Sequence, residues 1–106
     1  MIGLLMLASG VFLTGNGLYA ECTSGNSADQ ADCLGYITGV YDGIALMQDV
    51  DNKHLICIPQ GVIRGQIKDI AIAYLRDHPA TRQESAAPIV ANALLAAYPC
   101  SPAKGG

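Results

Sequence analysis

The chain has 106 residues and a formal charge of −3, from 6 Lys+Arg against 9 Asp+Glu. That length holds one domain, and the acidic balance argues against a nucleic-acid partner, which wants a basic face. Hydrophobic residues at 51% exclude a disordered chain, while an aromatic share of 6% leaves a small aliphatic core.

Ile2 to Ala8 (IGLLMLA) is an apolar run followed by Ala8-Ser9-Gly10. This is the pattern of a short h-region ending in a small-x-small cleavage site, with the cut after Gly10. No Lys or Arg precedes the run, so residues 1–10 read as the remnant of a leader that lacks its basic n-region. Residues 11–106 are then a single helical domain. Thr14, Gly15, Asn16 and Gly17 interrupt the apolar stretch well before the roughly 20 residues a bilayer needs. The mature protein is therefore expected to be exported, with no membrane span.

The remainder divides into helical segments separated by breakers. Asn16 to Cys22 is a short helix with Leu18 and Cys22 on one face, and Thr23 to Asn26 is a loop. Ser27-Ala28-Asp29-Gln30 has the form of a capping box, and Asp29 and Asp32 suit the first turn electrostatically. From there Cys33, Ile37, Val40, Ile44 and Met47 recur with the period of an amphipathic helix. Asp49 to Lys53 ends it.

Pro59 suits the first turn of a third helix, where its missing N–H costs nothing. Ile63, Ile67, Ile70 and Tyr74 would form its buried stripe, and Pro79 ends it. Thr81-Arg82-Gln83-Glu84 is a second capping-box pattern. A start there would carry Pro88 beyond the first turn, so the fourth helix is placed from Ser85. Val90, Ala93, Leu94 and Ala97 are its stripe, and Pro99 closes it. The expected fold is all-α, a compact bundle of three main helices and one short N-terminal helix.

Gly35, Gly39 and Gly43 recur every four residues within the second helix, and Gly61 and Gly65 repeat that spacing near the third. Each interior glycine costs roughly 0.5–1 kcal/mol relative to alanine. A ridge without side chains permits close approach of another helix along the i±4 row. Two outcomes are open, packing within the chain or the seam of a homodimer.

Cys22, Cys33, Cys57 and Cys100 allow three pairings. If the third and fourth helices form an antiparallel hairpin, Cys57 at the start of one meets Cys100 after the other. Cys22–Cys33 then bridges the first two helices, and no connection crosses. A zinc site usually shows a close C-x-x-C pair, which is missing here, so no metal or cofactor is expected. Catalysis finds no constellation either. His54 sits in a polar loop, His78 at a helix end, Asp42 and Asp69 stand singly, and Ser85 lacks a nucleophile-elbow setting.

The blocks GNGLYAEC (15–22), CLGYITGVYDG (33–43), CIPQGVIRGQIKDIAIAYLRDHPATR (57–82) and APIVANALLAAYPC (87–100) occur in this order. Together they resemble the Rap/Tai family, small periplasmic all-helical immunity proteins associated with type VI secretion. The resemblance implies a homodimer that inserts a loop into the active-site cleft of a peptidoglycan amidase effector. Inhibition would be by occlusion, with no chemistry performed by the immunity protein.

Two loops are candidates for that contact. One comprises Asp51, Asn52 and Lys53 and runs on to Leu55; the other comprises His78, Pro79, Thr81, Arg82 and Gln83. The second is the stronger on sequence, because Arg82 offers a bidentate donor fork and Pro79 stiffens the entry. From a different class comes a small periplasmic HdeA-like acid-stress chaperone, and beyond that a protein of this fold with no effector partner. Suppression of client aggregation at low pH would favour the chaperone.

Overall fold

Four α-helices are laid down in chain order in the computed structural model, which describes residues 12–101. They are α1 (Gly15–Thr23), α2 (Ser27–Asp51), α3 (Arg64–Asp77) and α4 (Ala86–Ala97), with a 3₁₀ turn at Pro79–Thr81. No strand occurs among the described residues; Thr14 with Ser85 and Ile56 with Pro99 make isolated antiparallel bridges. The expected leader at residues 1–10 lies outside the described residues.

Thr14 starts α1 by accepting the N–H of Gly17 at 3.1 Å on its hydroxyl. Leu18 and Cys22 are buried from this helix. Its entry is tight: a Cβ on Gly15 would stand 2.7 Å from Ile89 Cδ1 and 2.9 Å from the Arg82 carbonyl oxygen. The absent side chain lets the Gly15 N–H donate to Glu84 O at 2.8 Å and the Asn16 N–H to Arg82 O at 2.7 Å. The Ala86 N–H in turn donates to Leu13 O at 2.9 Å, tying the start of α4 to the start of α1.

The cap of α2 is one residue earlier than the capping-box pattern indicates. Asn26 Oδ1 accepts from Ala28 and Asp29, so Ser27 is the first helical residue. Gln30 does not return to the Ser27 backbone. Its amide instead donates to Cys22 O and Ser24 O and its oxygen accepts from Lys68 Nζ. Local capping loses here to a tertiary role, in which one glutamine joins α1, the α1–α2 turn and α3.

The third helix begins at Arg64, later than Pro59 predicts. Residues 57–63 are held in an irregular strap before it. The Cys57 N–H donates to Tyr98 O at 2.8 Å, Val62 turns back onto Pro59 O, and Gly61 takes φ +94°. A positive φ favours glycine and stops a right-handed helix from propagating. Two expectations fall with the later start. Cys57 lies in the strap, not at a helix start, and Ile63 is an exposed residue ahead of α3. The buried row of α3 is Ile67, Ala71 and Leu75, with Ile70 and Tyr74 half-buried beside it. In α4, Pro88 falls in the first turn as expected, where its missing N–H has no intrahelical partner to lose. Val90, Ala93 and Leu94 are buried, while Ala97 is exposed.

The core is aliphatic, built on Leu18, Ile37, Leu75, Val90 and Leu94. Both cystines join the expected partners, Cys22–Cys33 and Cys57–Cys100, with Cα atoms 5.1 and 4.9 Å apart. The first is embedded in the core; the second fastens the strap before α3 to the residues after α4.

Candidate protein-binding site

Only Cys33 and Ile37 of the 25 residues in α2 are fully buried. The predicted stripe fades toward the helix end: Val40 and Ile44 are half-buried, and Met47 is 54% exposed. The three-glycine ridge packs against nothing among the described residues, where a Cβ on Gly35, Gly39 or Gly43 would meet no atom within 4 Å. Close packing against another described helix is therefore not the reason for these glycines. They leave bare backbone on the protein surface.

Beside that bare backbone runs a groove of about 730 Å³, walled by α2 on one side and α4 on the other. Gly39, Gly43 and Met47 line the α2 side, while Ala91 and Leu95 line the α4 side. Leu46, Val50 and Leu55 add to the exposed large hydrophobic side chains at this end of the molecule, at 62%, 68% and 68% exposure. Scattered single apolar residues on a surface are ordinary, but a contiguous apolar concavity marks an interaction site.

The end of the groove is closed by the segment after α2, where Asp51, Lys53, Leu55 and Ile56 contribute. Asn52 takes the left-handed conformation, φ 54°, and turns the chain out of the helix. Gln48 then holds the returning backbone: its side-chain oxygen accepts from the N–H groups of Leu55 and Ile56, both at 2.9 Å, and its amide donates to Ile56 O at 3.1 Å. The Cys100 N–H donates to Leu55 O at 3.0 Å on the far side. The segment is thus a rigid wall held from two directions. His54 Nε2 lies 3.6 Å from Asp49 Oδ1, an exposed pair of little energetic weight.

The second candidate loop is elsewhere. His78 ends α3, stacked on Tyr74 with ring centroids 3.9 Å apart and Nδ1 2.8 Å from Tyr74 O. Thr81 Oγ1 donates to His78 O, closing the 3₁₀ turn that begins at Pro79. The Arg82 guanidinium lies over the Tyr19 ring at 4.3 Å, and its Nε is buried without a hydrogen-bond partner. Part of its donor fork is therefore committed inside the molecule. Gln83 is exposed beside it. This loop precedes α4 and the Asp51–Leu55 wall adjoins its C-terminal end, so the two loops stand about one α4 length apart, roughly 18 Å. The structure does not bring them together; the groove runs between them, from Ala87 and Pro88 to Leu95.

The α2 helix carries five aspartates, at 29, 32, 42, 49 and 51, and no Lys or Arg; of these only Asp51 lines the groove, together with Lys53. Among the described residues, no three His, Cys, Asp or Glu side chains converge as metal ligands, and no cysteine is free. What the arrangement offers is a rigid apolar concavity, suited to holding another polypeptide.

A sequence model of the Rap1a immunity proteins matches residues 14–100. The chain belongs to the Rap1a immunity protein family. The matched span contains all four helices, both cystines and the whole groove. No curated protein and no solved structure matches the chain significantly. Membership in the Rap1a family favours an immunity protein facing a secreted effector over the chaperone reading. The two cystines fit an exported Rap1a protein, and no helix among the described residues is long and apolar enough to cross a membrane.

Sequence reasoning missed Gln48 and Leu95, while Leu55 closes the first candidate loop. Gln48 carries no motif, and its role appears only when the returning chain is in place. Leu46 and Val50 did leave a signal, as large apolar residues outside the helix stripe.

Proposed function

We propose that this protein is a periplasmic immunity protein that binds a type VI secreted peptidoglycan amidase and occludes its active-site cleft. The observation that carries the reading is the open apolar groove between α2 and α4, on a chain of the Rap1a family. Binding needs no chemistry from this protein: a rigid surface seated over a cleft excludes the wall substrate by volume alone. The groove wall at Asp51, Asn52 and Lys53 is the principal contact in this reading. The loop of His78, Pro79, Thr81, Arg82 and Gln83 supplies a second contact, with Arg82 the weaker donor because of its stacking on Tyr19. The homodimer implied by the Rap/Tai resemblance fits on any face that leaves the groove open.

The test is protection of living cells. A susceptible bacterium that receives the amidase from a neighbour should survive when this chain is exported to its periplasm. The same chain retained in the cytoplasm should give no protection. Lysis at the unprotected rate with the protein present in the periplasm would contradict the proposal.

A further inference from the structure

We infer that the Cys57–Cys100 cystine is a redox-sensitive clasp on the groove wall, which a small dithiol opens while Cys22–Cys33 stays closed and the core stays folded. The device belongs to this chain alone and does not depend on the immunity reading.

Exposure separates the two cystines. Cys22 and Cys33 are 5% and 0% exposed and sit in the core cluster, so a thiolate reaches their sulfurs only after α1 and α2 part. Cys57 is exposed and Cys100 half-buried, and neither belongs to that cluster. Cys100 also lines a surface hollow of about 390 Å³ that shares Leu55 and Leu95 with the groove. Thiol–disulfide exchange begins when a thiolate attacks a sulfur, so its rate follows access. Access here favours the second cystine.

What that cystine holds is otherwise lightly anchored. Between α2 and α3, residues 52–63 carry one fully buried side chain, Ile56. The backbone ties from this segment to the residues after α4 lie beside the cystine itself, Cys57 N–H to Tyr98 O and Cys100 N–H to Leu55 O. A segment with few buried contacts opens at a free energy well below that of the whole fold. Lys53, Leu55 and Ile56 of this same segment line the groove. With the cystine cut, hydrogen bonds and the Ile56 side chain alone hold that wall in place. The packing of α3 on α4 does not pass through the cystine, because the buried row of α3 is Ile67, Ala71 and Leu75 and that of α4 is Ile89, Val90, Ala93 and Leu94.

The exchange balances with a dithiol as the only co-reactant. One of its thiolates attacks the exposed Cys57 sulfur, which forms a mixed disulfide and releases Cys100 as a thiolate that takes a proton. The second thiol then attacks the mixed disulfide and frees the Cys57 thiol. Two electrons and two protons pass to the cystine, and the dithiol leaves as a cyclic disulfide.

The experiment treats the full chain with graded dithiothreitol under native conditions, alkylates free thiols with N-ethylmaleimide and maps them by mass spectrometry. Cys57 and Cys100 should be alkylated together at a dithiothreitol concentration about tenfold or more below that needed for Cys22 and Cys33. In the species with two free thiols, amide exchange should accelerate about tenfold or more at Leu55 and Ile56, with Leu75 and Leu94 unchanged. Oxidised glutathione should restore the slow exchange. Cys57→Ser with Cys100→Ser should show the fast exchange without any reductant.

Opening of Cys22–Cys33 first, or of both cystines at one concentration, would overturn the selectivity. Loss of protection at Leu75 and Leu94 together with Leu55 would mean unfolding of the whole chain in place of a clasp. Unchanged exchange at Leu55 and Ile56 would mean that the cystine has no hold on the wall. Any of these results overturns the inference.

Discussion

Gln48 and Ile56 are joined by a closed pair of hydrogen bonds, the Ile56 N–H to Gln48 Oε1 at 2.9 Å and the Gln48 amide to Ile56 O at 3.1 Å. The pair makes the side chain of α2 behave as a short strand for the backbone that returns beside it. With the Leu55 N–H also bound to Gln48 Oε1, one residue fixes the wall that ends the groove. Replacing Gln48 by alanine leaves these backbone groups without partners, two of them on the half-exposed rim. The Gln48→Ala variant should lose about 1–3 kcal/mol in urea unfolding. Hydrogen exchange should accelerate first at Leu55 and Ile56, while Leu75 and Leu94 in the core stay protected.

Glycines at two sites are expected to respond oppositely to alanine. Gly15→Ala places a Cβ 2.7 Å from Ile89 Cδ1 and 2.9 Å from a backbone oxygen that has no room to move. It should destabilise by about 1–3 kcal/mol. Gly39→Ala meets nothing within 4 Å and improves helix propensity, so it should stabilise by about 0.5–1 kcal/mol. Thermal unfolding of the two single variants checks both signs.

These contrasts mark what could be read from the sequence and what could not. The cystines were legible because Cys22 and Cys33 flank a short turn and because a helical hairpin brings Cys57 to Cys100. The start of α4 was legible because Pro88 tolerates one placement only. The strap before α3 was not, since Pro59 suits a helix start equally well and the left-handed backbone at Gly61 has no signature of its own. The glycine ridge was visible as a pattern, yet its two meanings differ only in what lies opposite. That depends on where α4 packs. Gln48 was silent for the same reason, and Gln30 read only as a local cap, because a glutamine's partners are set by tertiary structure.

The two cystines should differ in what their removal costs. Cys57–Cys100 closes a loop of 43 residues in sequence and Cys22–Cys33 one of 11. On chain-entropy grounds each stabilises by about 3–4 kcal/mol, with the longer loop ahead by about 1 kcal/mol. The embedded position of Cys22 and Cys33 in the core opposes that order, because alanines there leave a cavity. Double alanine variants, compared by urea unfolding, should therefore come out close to each other. A Cys57→Ala/Cys100→Ala protein should also lose the protection of its Leu55 and Ile56 amides.

Glu21 gives the stability a small pH dependence. Partial burial raises its carboxyl pKa above the ordinary 4.5, and the charges of Asp32 and Asp29 raise it further. A raised folded-state pKa stabilises below the unfolded value and loses that contribution as pH climbs through the folded value. The window therefore opens near 4.5 and extends upward. Glu21→Gln should raise Tm at pH 7 by about 1–3 °C, as suits a half-buried group near the surface, and leave it unchanged at pH 3. A Tm gain that persists at pH 3 would assign the effect to packing.

The most direct measurement is a titration of a purified type VI peptidoglycan amidase with this protein, read as amide-bond cleavage in isolated sacculi. Cleavage is expected to fall to zero at a stoichiometric ratio of binding sites, and Gly39→Leu should need a large excess to reach the same point. Full amidase activity in the presence of excess wild-type protein, with no complex formed, would contradict the immunity function.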